Sequence, residues 1–94
     1  MLQVYSYSRC NTCRRALSWL KESGLEHAVI DITTEPPSRQ TLAKALEQFG
    51  DRRPLFNTSG QSYRALGAAV VKAMTDDEAL DTLATDGRLI KRPF

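Results

Sequence analysis

The sequence predicts an α/β fold built on a strand–helix–strand unit with further helices behind it, and three observations carry that expectation. The run Leu2-Gln3-Val4-Tyr5-Ser6-Tyr7 alternates Leu2, Val4 and Ser6 with Gln3, Tyr5 and Tyr7, the two-residue period of a short strand. Cys13, Ala16, Leu17 and Leu20 then share one helical face, and Gly24 after Lys21-Glu22-Ser23 supplies a left-handed stop. The β-branched run Ala28-Val29-Ile30-Asp31-Ile32 reads as a second strand. Two strands joined by a single helix pair in parallel through a right-handed crossover.

Thr33-Thr34-Glu35-Pro36-Pro37 interrupts regular structure, because each proline lacks an N–H and biases its predecessor away from helix. Ser38 caps a helix whose apolar face is Leu42, Ala45, Leu46 and Phe49 and which ends at Gly50. Asp51 to Gly60 reads as loop anchored by Leu55 and Phe56, and Ser62 to Leu66 as a short helix ending at Gly67. Ala68 to Met74 fits more than one state. Thr75-Asp76-Asp77-Glu78 is a capping box that opens a last helix running toward Gly87, followed by Leu89-Ile90 and Lys91-Arg92-Pro93-Phe94.

Ninety-four residues, 41% of them hydrophobic, suit a single domain over residues 1–94 with one core. There is no internal repeat and no composition shift that would mark a linker. A formal charge of +2, with the doublets Arg14-Arg15, Arg52-Arg53 and Lys91-Arg92 scattered, argues against direct nucleic-acid binding. No signal peptide and no bilayer-spanning apolar run is expected, which places the chain in the cytoplasm without a membrane partner. In a reducing compartment, two cysteines point to catalysis, redox sensing or metal binding rather than to a permanent staple.

Both cysteines fall in Cys10-Asn11-Thr12-Cys13, between the first strand and the first helix. A thiol at a helix N-terminus meets unpaired backbone N–H groups and the positive end of the helix dipole, both of which favour the thiolate. Cys10 is thus the expected nucleophile, with the amides of Asn11 and Thr12 and the charges of Arg9 and Arg14 as stabilisers. Cys13, one turn on, is placed to resolve an adduct on Cys10 as an internal disulfide. Its place on the apolar face also allows a buried core thiol, the less favoured of the two readings. Two cysteines and one histidine fall short of a zinc ligand set, so no metal is expected without a second chain. His27 reads as a surface histidine, Trp19 and Tyr63 as packing residues.

The chain resembles the arsenate reductase (ArsC) family, which also contains the Spx transcriptional regulators. The likeness rests on Ser8-Arg9-Cys10-Asn11-Thr12-Cys13-Arg14, Glu35-Pro36-Pro37-Ser38, Leu55-Phe56-Asn57-Thr58-Ser59-Gly60, Tyr63-Arg64-Ala65-Leu66-Gly67 and Leu89-Ile90-Lys91-Arg92-Pro93. It implies a thioredoxin-like fold with a helical insert between strands two and three. It also implies that Cys10 is the nucleophile, that Arg14 holds its thiolate, and that Arg92, ahead of a cis Pro93, binds an oxyanion or a thiol substrate's carboxylate. Glutathione, thioredoxin or glutaredoxin would be the electron donor, with no bound cofactor.

Three departures weigh against arsenate as substrate. The resemblance places Ser59 where arsenate reductases carry an oxyanion-binding arginine, and a further pocket arginine would lie beyond Phe94; losing fixed charges weakens the hold on a doubly charged oxyanion. Cys13 stands where those reductases often have serine. Paired cysteines look more like Spx, whose disulfide is an oxidant-sensing switch and whose partner is the RNA polymerase α subunit. The sequence therefore predicts a thiol-dependent oxidoreductase that works with a small thiol or redox protein, with a redox-sensing regulator as the alternative. The family's C-terminal hairpin would begin where this sequence stops. The expectation is a two-stranded sheet whose first strand keeps an open edge, from a longer natural chain or a strand-sharing dimer.

Overall fold

A computed structural model describes residues 1–94 and places in order β1 (Leu2–Ser6), α1 (Asn11–Glu22), β2 (His27–Asp31), α2 (Arg39–Phe49), α3 (Gln61–Leu66), α4 (Ala68–Ala73) and α5 (Asp76–Thr85). Single 3-10 turns lie at Arg53–Leu55 and Gly87–Leu89. β1 and β2 pair in parallel with Val4 beside Val29 and Ser6 beside Asp31. The strand expected at Ala28–Ile32 sits one residue earlier, and Ile32 continues the ladder by donating its N–H to Ser6 O at 2.9 Å.

The helix signals correspond to observed caps. Ser38 Oγ accepts from Thr41 N at 3.1 Å, and Gly50 ends α2 at φ 70°, where a side chain would be strained. Thr75 and Glu78 exchange both bonds of the capping box, at 3.0 and 3.1 Å. The ambiguous stretch after Gly67 is α4, and the last helix stops at Thr85 rather than running to Gly87. Gly87 instead passes so close to the end of β2 that a Cβ there would overlap the Ile32 carbonyl.

Ten buried residues, among them Ile32, Leu42, Leu55, Phe56, Leu83 and Ile90, form the core between the sheet and the helical layer. Arg39 ties α2 to α5 through Asp77 and Asp81, and Arg52 reaches Asp76 and the carbonyls of Val71 and Lys72. An antiparallel bridge between Phe56 and Ile90 joins the loop after α2 to the C-terminal segment, with Asn57 N donating to Leu89 O at 2.7 Å and Lys91 N to Leu55 O at 2.8 Å.

The outer edge of β1 is not left fully open. Tyr5 and Phe94 exchange both backbone hydrogen bonds at 2.9 Å, an antiparallel pair, and their rings meet edge to face at 5.9 Å. Trp19, expected to pack, is 60% exposed on α1. Tyr63 does pack, edge to face on Phe56. No helix is long and apolar enough to cross a membrane.

Candidate functional site

Cys10 is the N-cap of α1, in extended backbone at φ −107° and ψ 114°. A residue in that position directs its side chain at the N–H two or three residues on. Cys10 Sγ accordingly accepts from Cys13 N at 3.3 Å. The amide donor is thus Cys13, three residues on, not Asn11 or Thr12 as the sequence led us to expect.

The two thiols sit in contrasting surroundings. Cys10 is partly exposed, whereas Cys13 is completely buried beneath it. Burial pushes the Cys10 thiol up, but the thiol and N–H of Cys13 together with the charge and approach of Arg92 outweigh it, so it ionises below the ordinary thiol value. Burial is also the largest influence on Cys13, and there it prevails: sharing its proton with Cys10 adds to it, and the contacts with Tyr7 and Ser6 do not offset it, so that thiol is pushed up. Of the two, Cys10 is therefore the thiol that ionises first and Cys13 the one that keeps its proton to higher pH.

Arg14, expected to hold the thiolate, is engaged with other partners. Its Nε and Nη2 donate to Ser8 O at 3.1 and 2.9 Å, and Nη1 donates to Asn11 Oδ1 at 3.2 Å. Arg14 and Asn11 thus brace the turn that carries Cys10, and the cation that acts on the sulfur is Arg92. One helical turn past Cys10, the Arg14 side chain projects back over the preceding loop, as helical side chains do. Arg92 lies 4.5 Å over the Tyr7 ring, a cation–π contact that fixes the guanidinium beside the thiol turn. The Arg92–Pro93 peptide bond is cis.

A cavity of about 310 Å³ opens over the sulfur, lined by Cys10, Thr12, Asn57, Ser59, Lys91 and Arg92. Pro93 and Thr12 border a separate, more apolar cavity with Phe49, Leu55 and Phe94. Asn57 and Lys91 are site residues that the sequence reading did not single out. Neither belongs to a local motif around the cysteines; the Phe56–Ile90 bridge brings them there. Ser59 donates to Asn57 Oδ1 at 3.1 Å, and Asn57 Nδ2 donates to Arg88 O at 3.5 Å, so this rim is polar but carries no charge of its own. Arg64 points its guanidinium at Ser59 O, 2.9 Å away, and lines no part of the cavity. No three His, Cys, Asp or Glu side chains come together in a metal-holding group.

The chain as a whole is similar to several known proteins. An uncharacterised protein, YusI, of Bacillus subtilis is 46% identical over 95 residues, which cover 99% of this chain and 80% of that one. A structure described as a "possible arsenate reductase" from Streptococcus mutans superposes with a TM-score of 0.92 at 45% identity, covering 99% of this chain and 80% of that one. An arsenate reductase of Escherichia coli is 34% identical over 94 residues, 99% of this chain but only 66% of the longer enzyme. The sequence pattern of the ArsC family itself spans residues 5–94, thiol turn and Arg92-Pro93 included. On sequence, on thioredoxin-like fold and over nearly its whole length, this chain belongs to the ArsC family.

Proposed function

We propose that the protein is a thiol-dependent oxidoreductase in which Cys10 attacks an oxidised sulfur substrate and Cys13 resolves the adduct. The observation that carries this reading is the opposed state of the two thiols: Cys10 accessible and favoured as thiolate, Cys13 buried and favoured as thiol. In the first step the Cys10 thiolate attacks a substrate disulfide, a new S–S bond forms, and one substrate thiolate leaves. Cys13 then gives up its proton, attacks Sγ of Cys10 and releases the second substrate thiolate. The substrate gains two electrons and the pair becomes a disulfide. Glutathione, thioredoxin or glutaredoxin would return it to the dithiol.

Arsenate is the weaker substrate on this reading. The cavity over Cys10 is lined by Lys91 and Arg92 as its cations, with Asn57 and Ser59 supplying only neutral donors. A doubly charged oxyanion calls for more than one bidentate guanidinium contact, and Arg92 is the single guanidinium in the lining of this cavity. Mass spectrometry of Cys13→Ser after exposure to a disulfide tests the assignment: a stable mixed disulfide on Cys10 is expected, and Cys10→Ser should form none. A trapped adduct on neither variant contradicts the reading. A redox-switched regulator of the Spx kind would use the same cysteine pair; retention of the RNA polymerase α subunit by both wild type and Cys10→Ala, without turnover, is the result that would favour it.

A further inference from the structure

Beside the cavity over Cys10 lies a second one of about 280 Å³, bounded by Tyr7, Asn57, Gln61, Ser62, Arg88 and Arg92. The two share Asn57, Gly60 and Arg92 as a common wall, so a ligand with its sulfur at Cys10 passes Arg92 on its way into the second space. We propose that this second cavity is a carboxylate subsite, with Arg88 as its specificity-determining residue, which selects small disulfides and thiols carrying a negative charge away from the sulfur. The proposal rests on the thiol-exchange role of Cys10 argued above.

Three observations support it. No aspartate or glutamate lines either cavity, while Arg88, Lys91 and Arg92 all do. The Arg88 guanidinium makes no hydrogen bond or ion pair within the chain. Its neighbour Asp86 accepts instead from the Arg88 backbone N–H at 2.9 Å, so the carboxylate is used to cap the 3-10 turn rather than to neutralise the side chain. Arg39, Arg52 and Arg53 are each paired with aspartate and Arg14 and Arg64 with carbonyl oxygens, whereas Arg9 and Arg15, also without partners, line neither cavity. The position of Arg88 is also fixed by its backbone, since its carbonyl accepts from Asn57 and the adjoining Leu89 and Ile90 are buried. An unpaired, solvent-exposed guanidinium at the mouth of a polar, acid-free cavity is suited to a carboxylate, with Gln61 and Ser62 as neutral donors beside it. Arg92 cannot take both tasks, because it is stacked on Tyr7 and acts on the Cys10 sulfur.

The test uses the reduced protein in a single turnover against three symmetric disulfides of equal chain length, those of mercaptohexanoate, mercaptohexanol and aminohexanethiol. Each reaction converts one disulfide and the Cys10/Cys13 dithiol into two free thiols and the protein disulfide, so no further electron donor is needed. Distant end groups leave the intrinsic reactivity of the three S–S bonds similar, and rate differences report recognition of charge. In wild type at low salt the carboxylate disulfide is expected to react roughly fivefold faster than the alcohol, and the amine more slowly than either. Arg88→Gln should bring the three rates together, and Arg88→Lys should keep part of the preference. Arg15→Gln, which removes the same charge from an α1 position lining neither cavity, should leave the preference unchanged. A preference that survives Arg88→Gln, or that falls equally in Arg15→Gln, overturns the subsite while leaving the role of Cys10 intact. Failure of all three disulfides to react overturns both.

Discussion

The strand–helix–strand unit and the helical layer are held together in different ways. The helical layer and the end of β2 share a continuous buried cluster of ten residues, reinforced by Arg39 and Arg52 across the helices. The strand–helix–strand unit contributes Val4, Ser6, Cys13 and Leu20 outside that cluster, and its second strand leaves Val29 55% exposed. Cys10 belongs to the lightly packed half, whereas Arg88, Lys91, Arg92 and Asn57 are held by the well-packed half through the Phe56–Ile90 bridge. The site thus lies on a seam, with the nucleophile on one side and its charges on the other. Chemistry and stability should therefore respond to different substitutions.

The largest separation is expected between Cys10→Ser and Gly87→Ala. Cys10→Ser should abolish disulfide exchange while leaving thermal unfolding nearly unchanged, since a hydroxyl at the N-cap still accepts the Cys13 N–H. Gly87→Ala should do the reverse. The added methyl meets the Ile32 carbonyl and the Pro36 side chain, and backbone must shift at a cost of about 2–4 kcal/mol. Denaturant unfolding and single-turnover exchange on both variants would check the pair. Equal stability loss in the two would break the distinction between the halves.

Within the site, Arg92 and Arg14 make the next comparison. Arg92→Gln should raise the Cys10 thiol value and slow its alkylation several-fold near neutral pH. Arg14→Gln should leave that value almost unmoved and instead loosen the Ser8–Asn11 turn, read as faster amide exchange there. Smaller still is Thr75→Ala, which removes one side of the α5 capping box and should cost about 1 kcal/mol without touching the thiols.

Alkaline pH gives a further contrast between the cysteines. The folded Cys13 value is raised, so its contribution to stability is complete below the unfolded thiol value and is lost as pH rises through the folded one. The folded Cys10 value is lowered, so its contribution is present above the unfolded value and is lost as pH falls through the folded one. Cys13→Ala should therefore flatten the alkaline loss of stability, whereas Cys10→Ala should not.

Local signals were legible in the sequence because they act over a few residues. The αL glycines Gly24 and Gly50, the cap Ser38, the capping box at Thr75 and the Cys10–Cys13 turn each declare themselves within one helical turn. The thioredoxin-like architecture was legible through family likeness. What stayed hidden depends on contacts between distant segments. Asn57 and Lys91 line the cavity over the thiol because Phe56 pairs with Ile90, 34 positions away along the chain. Arg14 misled for the opposite reason: nearness in sequence to Cys10 said nothing of the direction its side chain takes from the first turn of α1. The capture of the β1 edge by Phe94 is likewise a long-range pairing that alternation in Leu2–Tyr7 does not encode.

Cys10 as the nucleophile poised to ionise and Cys13 as its protonated reserve is the division of labour on which the proposed chemistry depends. The pH dependence of Cys10 alkylation, followed by mass spectrometry with Cys13 monitored in the same digest, tests it most directly. The expected result is a Cys10 midpoint below that of free cysteine, with Cys13 unmodified throughout the same range. A Cys10 midpoint at or above free cysteine, or equal labelling of the two thiols, would contradict it.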